Sequence, residues 1–121
     1  MRKYTPTYVQ PKDWDEIKSW YSELIQDGLE LKPMLDLIEH ILTKGYKNRL
    51  FATTSLHTLV ISIYSEIDLQ TEVLKIKFDL ATRNWFFDYY GKPFQEAQFS
   101  RQYNEDLGIE KFEQFIKFIN W

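Results

Sequence analysis

Two histidines are the side chains of this sequence best suited to acid–base chemistry near neutral pH. His57 follows Ser55 by two positions, which on a strand would place both side chains on one side. A serine beside a histidine suits nucleophilic catalysis, but such a pair needs a third group that orients the histidine. No carboxylate stands next to the pair in the sequence. We therefore favour a structural role for His57 at the end of a strand.

Acidic side chains offer a second candidate for chemistry. Glu66 and Asp68 fall in a predicted loop over residues 65–71 and could share a divalent cation, although solvated loop residues are the commoner case. His40, on a predicted helix, belongs to no metal-binding histidine motif. The chain has no cysteine, which excludes disulfides, thiolate catalysis and cysteine-bound metals. We predict no metal site and no catalytic residue.

The glycines argue against a nucleotide cofactor. Loops that cradle phosphate need clustered glycines, so that backbone N–H groups can approach the ligand. Here the four glycines stand alone, and each falls at a predicted element boundary. We therefore predict no cofactor.

Three helices are predicted from apolar residues at helical spacing. The first begins at Asp13, which suits an N-cap, and ends at Gly28. The second begins near Pro33 with the apolar stripe Leu35, Ile38, Ile41 and Leu42. The last follows Asp106 and turns Glu113 and Lys117 to water. Its predicted buried face comprises Ile109, Phe112, Phe115, Ile116 and Ile119.

Between the second and last helices the apolar pattern changes to a period of two, which predicts strands over residues 50–54, 57–64, 72–79 and 84–90. In the last hairpin Lys75 should face Asp88, and Lys77 should face Phe86. A slip of one residue would turn both lysines into the core, so burial fixes this register. The predicted core pairs are Leu74 with Tyr89, Ile76 with Phe87 and Phe78 with Trp85. Residues 91–107 are predicted as a short helix from Pro93 followed by a loop.

This order of elements predicts an α+β fold. We expect two N-terminal helices, a four-stranded antiparallel β-meander, and a C-terminal helix packed on the sheet. Residues 1–121 should form a single domain, in which residues 1–12 are an extended arm punctuated by Pro6 and Pro11.

Charge and composition narrow the function classes. The net charge is −3 and both signs are spread along the chain, so no basic surface for nucleic acid or anionic membrane is predicted. We see no signal peptide and no apolar run of the ~20 residues that a membrane span needs. We expect a cytoplasmic protein. Aromatic residues make up 17% of the chain, and such residues contribute strongly to core packing and to binding interfaces.

The sheet face away from the predicted helices is the most informative feature. Aromatic and charged side chains alternate on it, which is typical of a protein-binding surface. Single-stranded nucleic acid also stacks on sheet aromatics, but the signature of an RNA recognition motif is missing here. A helix, the N-terminal arm with Tyr4, Tyr8 and Val9, or a second copy of the chain would be an alternative cover. The candidate partner-binding residues are Tyr64, Lys75, Lys77, Phe86, Asp88 and Tyr90.

Two function classes follow from these observations. The preferred one is a non-catalytic protein–protein interaction domain, such as an immunity or antitoxin-like protein or an adaptor, which acts through the aromatic sheet face on another protein or on itself. The alternative is a small hydrolase or small-ligand-binding domain with a site near Ser55 and His57.

Overall fold

The computed structural model describes residues 3–121; Met1 and Arg2, which belong to the predicted arm, lie outside the described residues. The first helix begins as predicted, because the Asp13 carboxylate caps it by accepting a hydrogen bond from the Asp15 amide at 3.3 Å. Gly28 follows that helix with a φ of 101°, a conformation that favours glycine. The helices are α1 (Trp14–Gln26), α2 (Lys32–Thr43) and α3 (Gly108–Ile119).

The described strands form two antiparallel sheets. A five-stranded meander has the order β2-β3-β5-β6-β7, and a two-stranded ribbon joins β1 to β4. The α+β class is therefore as predicted, with helices packed on the meander. The strands are β1 (Tyr8–Val9), β2 (Phe51–Ser55), β3 (Thr58–Ser62), β4 (Ile67–Asp68), β5 (Val73–Asp79), β6 (Asn84–Tyr90) and β7 (Phe99–Asn104).

The predicted four-stranded meander is wrong by one strand. Instead of the short helix predicted from Pro93, the chain crosses back and β7 pairs with β6, so that Phe99 lies opposite Tyr89 and Tyr103 opposite Trp85. Side chains alternate along β7, and the exposed Arg101 occupies the helix-side position between Phe99 and Tyr103. This cation interrupts the apolar pattern, so the sequence did not predict β7. The strand forms because its backbone pairs with β6, which local sequence does not reveal.

The register predicted for the hairpin of β5 and β6 is confirmed at every pair. Lys75 lies opposite Asp88 and Lys77 opposite Phe86 on one face. The buried partners on the other face pack against the helices, together with Ala52, Leu59 and Ile61 of β2 and β3. The confirmed core pairs are Leu74 with Tyr89, Ile76 with Phe87, and Phe78 with Trp85.

Two helix faces differ from the prediction. In α2 the buried set includes Met34 and Leu37 in place of Leu35 and Leu42. Both stripes are apolar, so periodicity alone does not fix the rotation of this helix. In α3, Glu113 is turned toward α2 rather than to water, and it bonds to His40 there.

Candidate functional site

The sheet face away from the helices, here called the outer face, carries five of the six predicted partner-binding residues. They alternate with core residues along β5 and β6 and so project from one side of the sheet. Within this group the Lys75 ammonium lies 4.8 Å from the centre of the Tyr90 ring, a cation–π contact. The five residues are Lys75, Lys77, Phe86, Asp88 and Tyr90.

One half of the outer face is covered by the chain itself. Ile67 of β4 packs against Val60 and Val73, and the ring of Tyr90 packs at the edge of this second apolar cluster. The arm pairs with β4 through Tyr8 and Asp68, so the arm lies beside the segment that covers this end of the sheet.

The other half of the outer face remains accessible and forms a shallow depression of about 370 Å³. Lys77 is exposed and lies directly opposite the half-buried Phe86. Asp88 accepts a hydrogen bond from Ser100 Oγ at 2.5 Å, which fixes its carboxylate. Hydrogen bonds from Thr82 hold the pKa of Asp79 below its ordinary value. We call this surface the open face, defined by Thr58, Lys75, Lys77, Asp79, Phe86 and Asp88.

Tyr64, the sixth predicted residue, lies apart from the other five. It follows the end of β3, and its hydrogen bond with Glu72 raises the pKa of Tyr64. Its ring helps to line a second cleft of about 420 Å³ beneath the arm. That cleft is lined by Tyr8, Tyr64, Ser65, Glu66, Asp68 and Thr71.

The carboxylates predicted as a cation pair have different environments. Asp68 accepts a hydrogen bond from the Tyr4 hydroxyl and another from the Gln70 amide, whereas Glu66 is exposed. Tyr4 thereby connects the arm to β4. Within residues 3–121, no three histidine, aspartate or glutamate side chains converge as a metal site would require.

The structure keeps Ser55 and His57, the residues of the hydrolase hypothesis, apart from the acidic pair Glu66 and Asp68. Ser55 ends β2 and is exposed, and His57 follows in the turn to β3. The His57 carbonyl accepts a hydrogen bond from Tyr21 at 3.0 Å. Glu66 and Asp68 follow the far end of β3, a strand of five residues or roughly 17 Å. A joint site of these four residues is therefore not formed, and catalysis near His57 stays a prediction from sequence.

A polar cluster between α2 and α3 was missed by the sequence analysis. Glu113 lies 2.5 Å from His40 Nε2 and accepts a hydrogen bond from the Tyr46 hydroxyl at 2.5 Å. Burial acts to raise the pKa of Glu113, but the hydrogen bonds from Tyr46 and His40 prevail and lower it. Burial and the bond to Glu113 raise the pKa of Tyr46. Glu113 is 67 positions from Tyr46 and 73 positions from His40, so no local pattern indicates these contacts.

Within the described part of the chain, every helix is too short or too polar to cross a membrane. In comparisons with known proteins, no family model, no curated protein and no solved structure matches this chain.

Proposed function

We propose that this chain is a non-catalytic protein-binding domain that docks another protein on the open face. The observation that carries the proposal is the position of Phe86. This half-buried ring lies within an accessible depression of the sheet, and charged side chains surround it. A ring that is already partly held by its neighbours loses little conformational freedom on binding, which is why aromatic residues so often anchor interfaces.

The charges of the open face define the partner. Lys75 contacts Tyr90 and Asp88 is bonded to Ser100, so both are held within the chain. Lys77 is exposed beside Phe86 and is the cation best placed to reach a partner. We therefore propose a partner surface with an apolar pocket for the Phe86 ring and a carboxylate opposite Lys77.

A docking surface of this kind suits an immunity or antitoxin-like protein or an adaptor that acts in the cytoplasm. A surface that masks another protein needs no catalytic residue and no cofactor. The net charge of −3 and the mixed charges of the open face give no support to binding of nucleic acid or of an anionic membrane.

The test begins with affinity capture from cells that express the protein, using the wild type, Phe86→Ser and Trp20→Ser. Trp20 is the matched control, because it is a partly exposed aromatic residue on α1, on the side of the sheet opposite the open face. Candidate partners are then purified and titrated calorimetrically against the three proteins. We expect Phe86→Ser to weaken binding by about tenfold or more, and Trp20→Ser to leave binding unchanged.

Lys77→Glu provides the electrostatic part of the test. This reversal should weaken binding most at low salt, since exposed charge pairs are screened by added ions. A partner whose affinity is unaffected by both Phe86→Ser and Lys77→Glu would show that the open face is not the docking surface.

A further inference from the structure

The strand β7 is the uncovered edge of the five-stranded sheet. At the opposite edge, the Lys12 amide of the arm bonds to the Ala52 carbonyl of β2 at 2.8 Å, so β2 is partly covered. In the described residues, β7 pairs with β6 and with no other strand. An edge strand leaves one row of backbone N–H and C=O groups available for pairing with another chain.

Soluble proteins protect such edges with proline, lysine, bulges or very short strands. The six residues of β7, from Phe99 to Asn104, include neither proline nor lysine. Its one charged residue, Arg101, folds back over the ring of Phe99 at 4.8 Å. The edge is therefore long enough to pair, and it carries little electrostatic protection.

We propose that β7 pairs antiparallel with β7 of a second copy of this chain, which joins two five-stranded meanders into one continuous sheet. A two-fold axis perpendicular to the sheet keeps the helices of both copies on the same side. Under this symmetry, residues that point to the helix side face one another across the junction, and so do residues that point to the outer face.

Charge selects the register of this junction. Centring the axis on Arg101 would set two arginines directly opposite each other, which is destabilising. Centring it on Gln102 sets Arg101 opposite Tyr103 of the second copy, where a cation–π contact forms. The same register sets Ser100 opposite Asn104, and Gln102 opposite itself, as hydrogen-bonding pairs. The second register is therefore the one we propose.

The helix beside this edge supplies the apolar contact. Phe118 of α3 is 76% exposed, and its ring lies 6.2 Å from that of Phe99. Phe115 lies deeper, where it contacts both Tyr89 of β6 and Phe99 of β7. Phe118 is thus placed beside the junction, and pairing of the two β7 strands would remove its ring from water.

Sedimentation equilibrium over a concentration series tests this proposal. The wild type should move from the 14.7 kDa monomer toward twice that mass as its concentration rises. Gln102→Glu and Gln102→Lys should each raise the dimer dissociation constant by about twofold to fivefold, since each variant opposes like charges across the axis. An equimolar mixture of the two variants should recover association, because glutamate then faces lysine.

Phe118→Ser should raise the dissociation constant by about tenfold or more, with Trp20→Ser as the control that leaves it unchanged. Far-ultraviolet circular dichroism checks that every variant is folded. If Phe118→Ser does not fold, the two Gln102 variants decide the outcome.

A wild type that stays monomeric at all concentrations would overturn the proposal. A dimer that is indifferent to both Gln102 charges would also overturn it. Dimerisation is measured on the purified protein alone, so these results do not depend on whether the open face binds another protein.

Discussion

His40 Nε2 lies 2.5 Å from Glu113 Oε1, and this contact ties α2 to α3 across 73 positions of sequence. The same carboxylate accepts a hydrogen bond from Tyr46, in the short turn of helix after α2. Glu113 therefore links three segments that share no sheet hydrogen bonds, at a site where its side chain is 23% exposed.

Acid should weaken the fold through this carboxylate. Because the folded-state pKa of Glu113 is lowered, its contribution to stability is present above the unfolded value near 4.5 and is lost as the pH falls below it. We expect Glu113→Gln to cost about 1 kcal/mol at neutral pH and to reduce the loss of stability in acid. Denaturation by urea between about pH 7 and about pH 3 measures both effects. Glu110→Gln, on the exposed side of α3, is the control that should leave the acid profile of the wild type unchanged.

Gly108→Ala should destabilise the protein although alanine is the better helix former. A Cβ atom at this position would lie 2.3 Å from the ring of Trp85, which is itself buried. The clash should cost about 1–3 kcal/mol, outweighing a gain in helix propensity of up to ~1 kcal/mol. Thermal or chemical denaturation measures the difference, and a stabilised variant would contradict the close approach of α3 to β6.

Ile76 and Lys77 are neighbours in β5, but truncating Ile76 should cost far more stability than truncating Lys77. Ile76 is fully buried in the main core, so Ile76→Ala should lower the free energy of unfolding by about 2–5 kcal/mol. Lys77 is exposed on the open face, and Lys77→Ala should change it by no more than about 0.5 kcal/mol. Equal losses for the two variants in chemical denaturation would contradict the assignment of the sheet faces.

Tyr4→Phe should loosen the arm without unfolding the sheet. The substitution removes the hydroxyl that bonds to Asp68 and keeps the ring, whose edge contact with Phe94 has a centroid distance of 5.3 Å. We expect faster limited proteolysis within residues 3–12 and an unchanged rate in the core strands. Tyr8→Phe, in the same arm, is the matched control. Equal protection of the arm in Tyr4→Phe and the wild type would show that this bond does not hold it.

The sequence was sufficient to predict those features that follow from burial of a local apolar pattern. In the hairpin of β5 and β6, a shift of one residue would bury Lys75 and Lys77, so alternation alone predicted each pair. Asp13 and Gly28 likewise marked the ends of α1 through capping preferences that act over a few residues. These features, and the α+β class that follows from them, were determined by short-range chemistry.

Features that depend on contacts between distant segments were decided only by the tertiary structure. Arg101 broke the alternation of β7, and only the exposed edge of β6 made a fifth strand favourable. The cluster of His40 and Glu113 depends on the rotation of two helices whose apolar stripes allowed more than one choice. The same holds for the outer face, because only the packing of Ile67 over Val60 and Val73 showed which half is covered. Local sequence carries no information about such contacts, because their free energy arises when the chain has already folded around them.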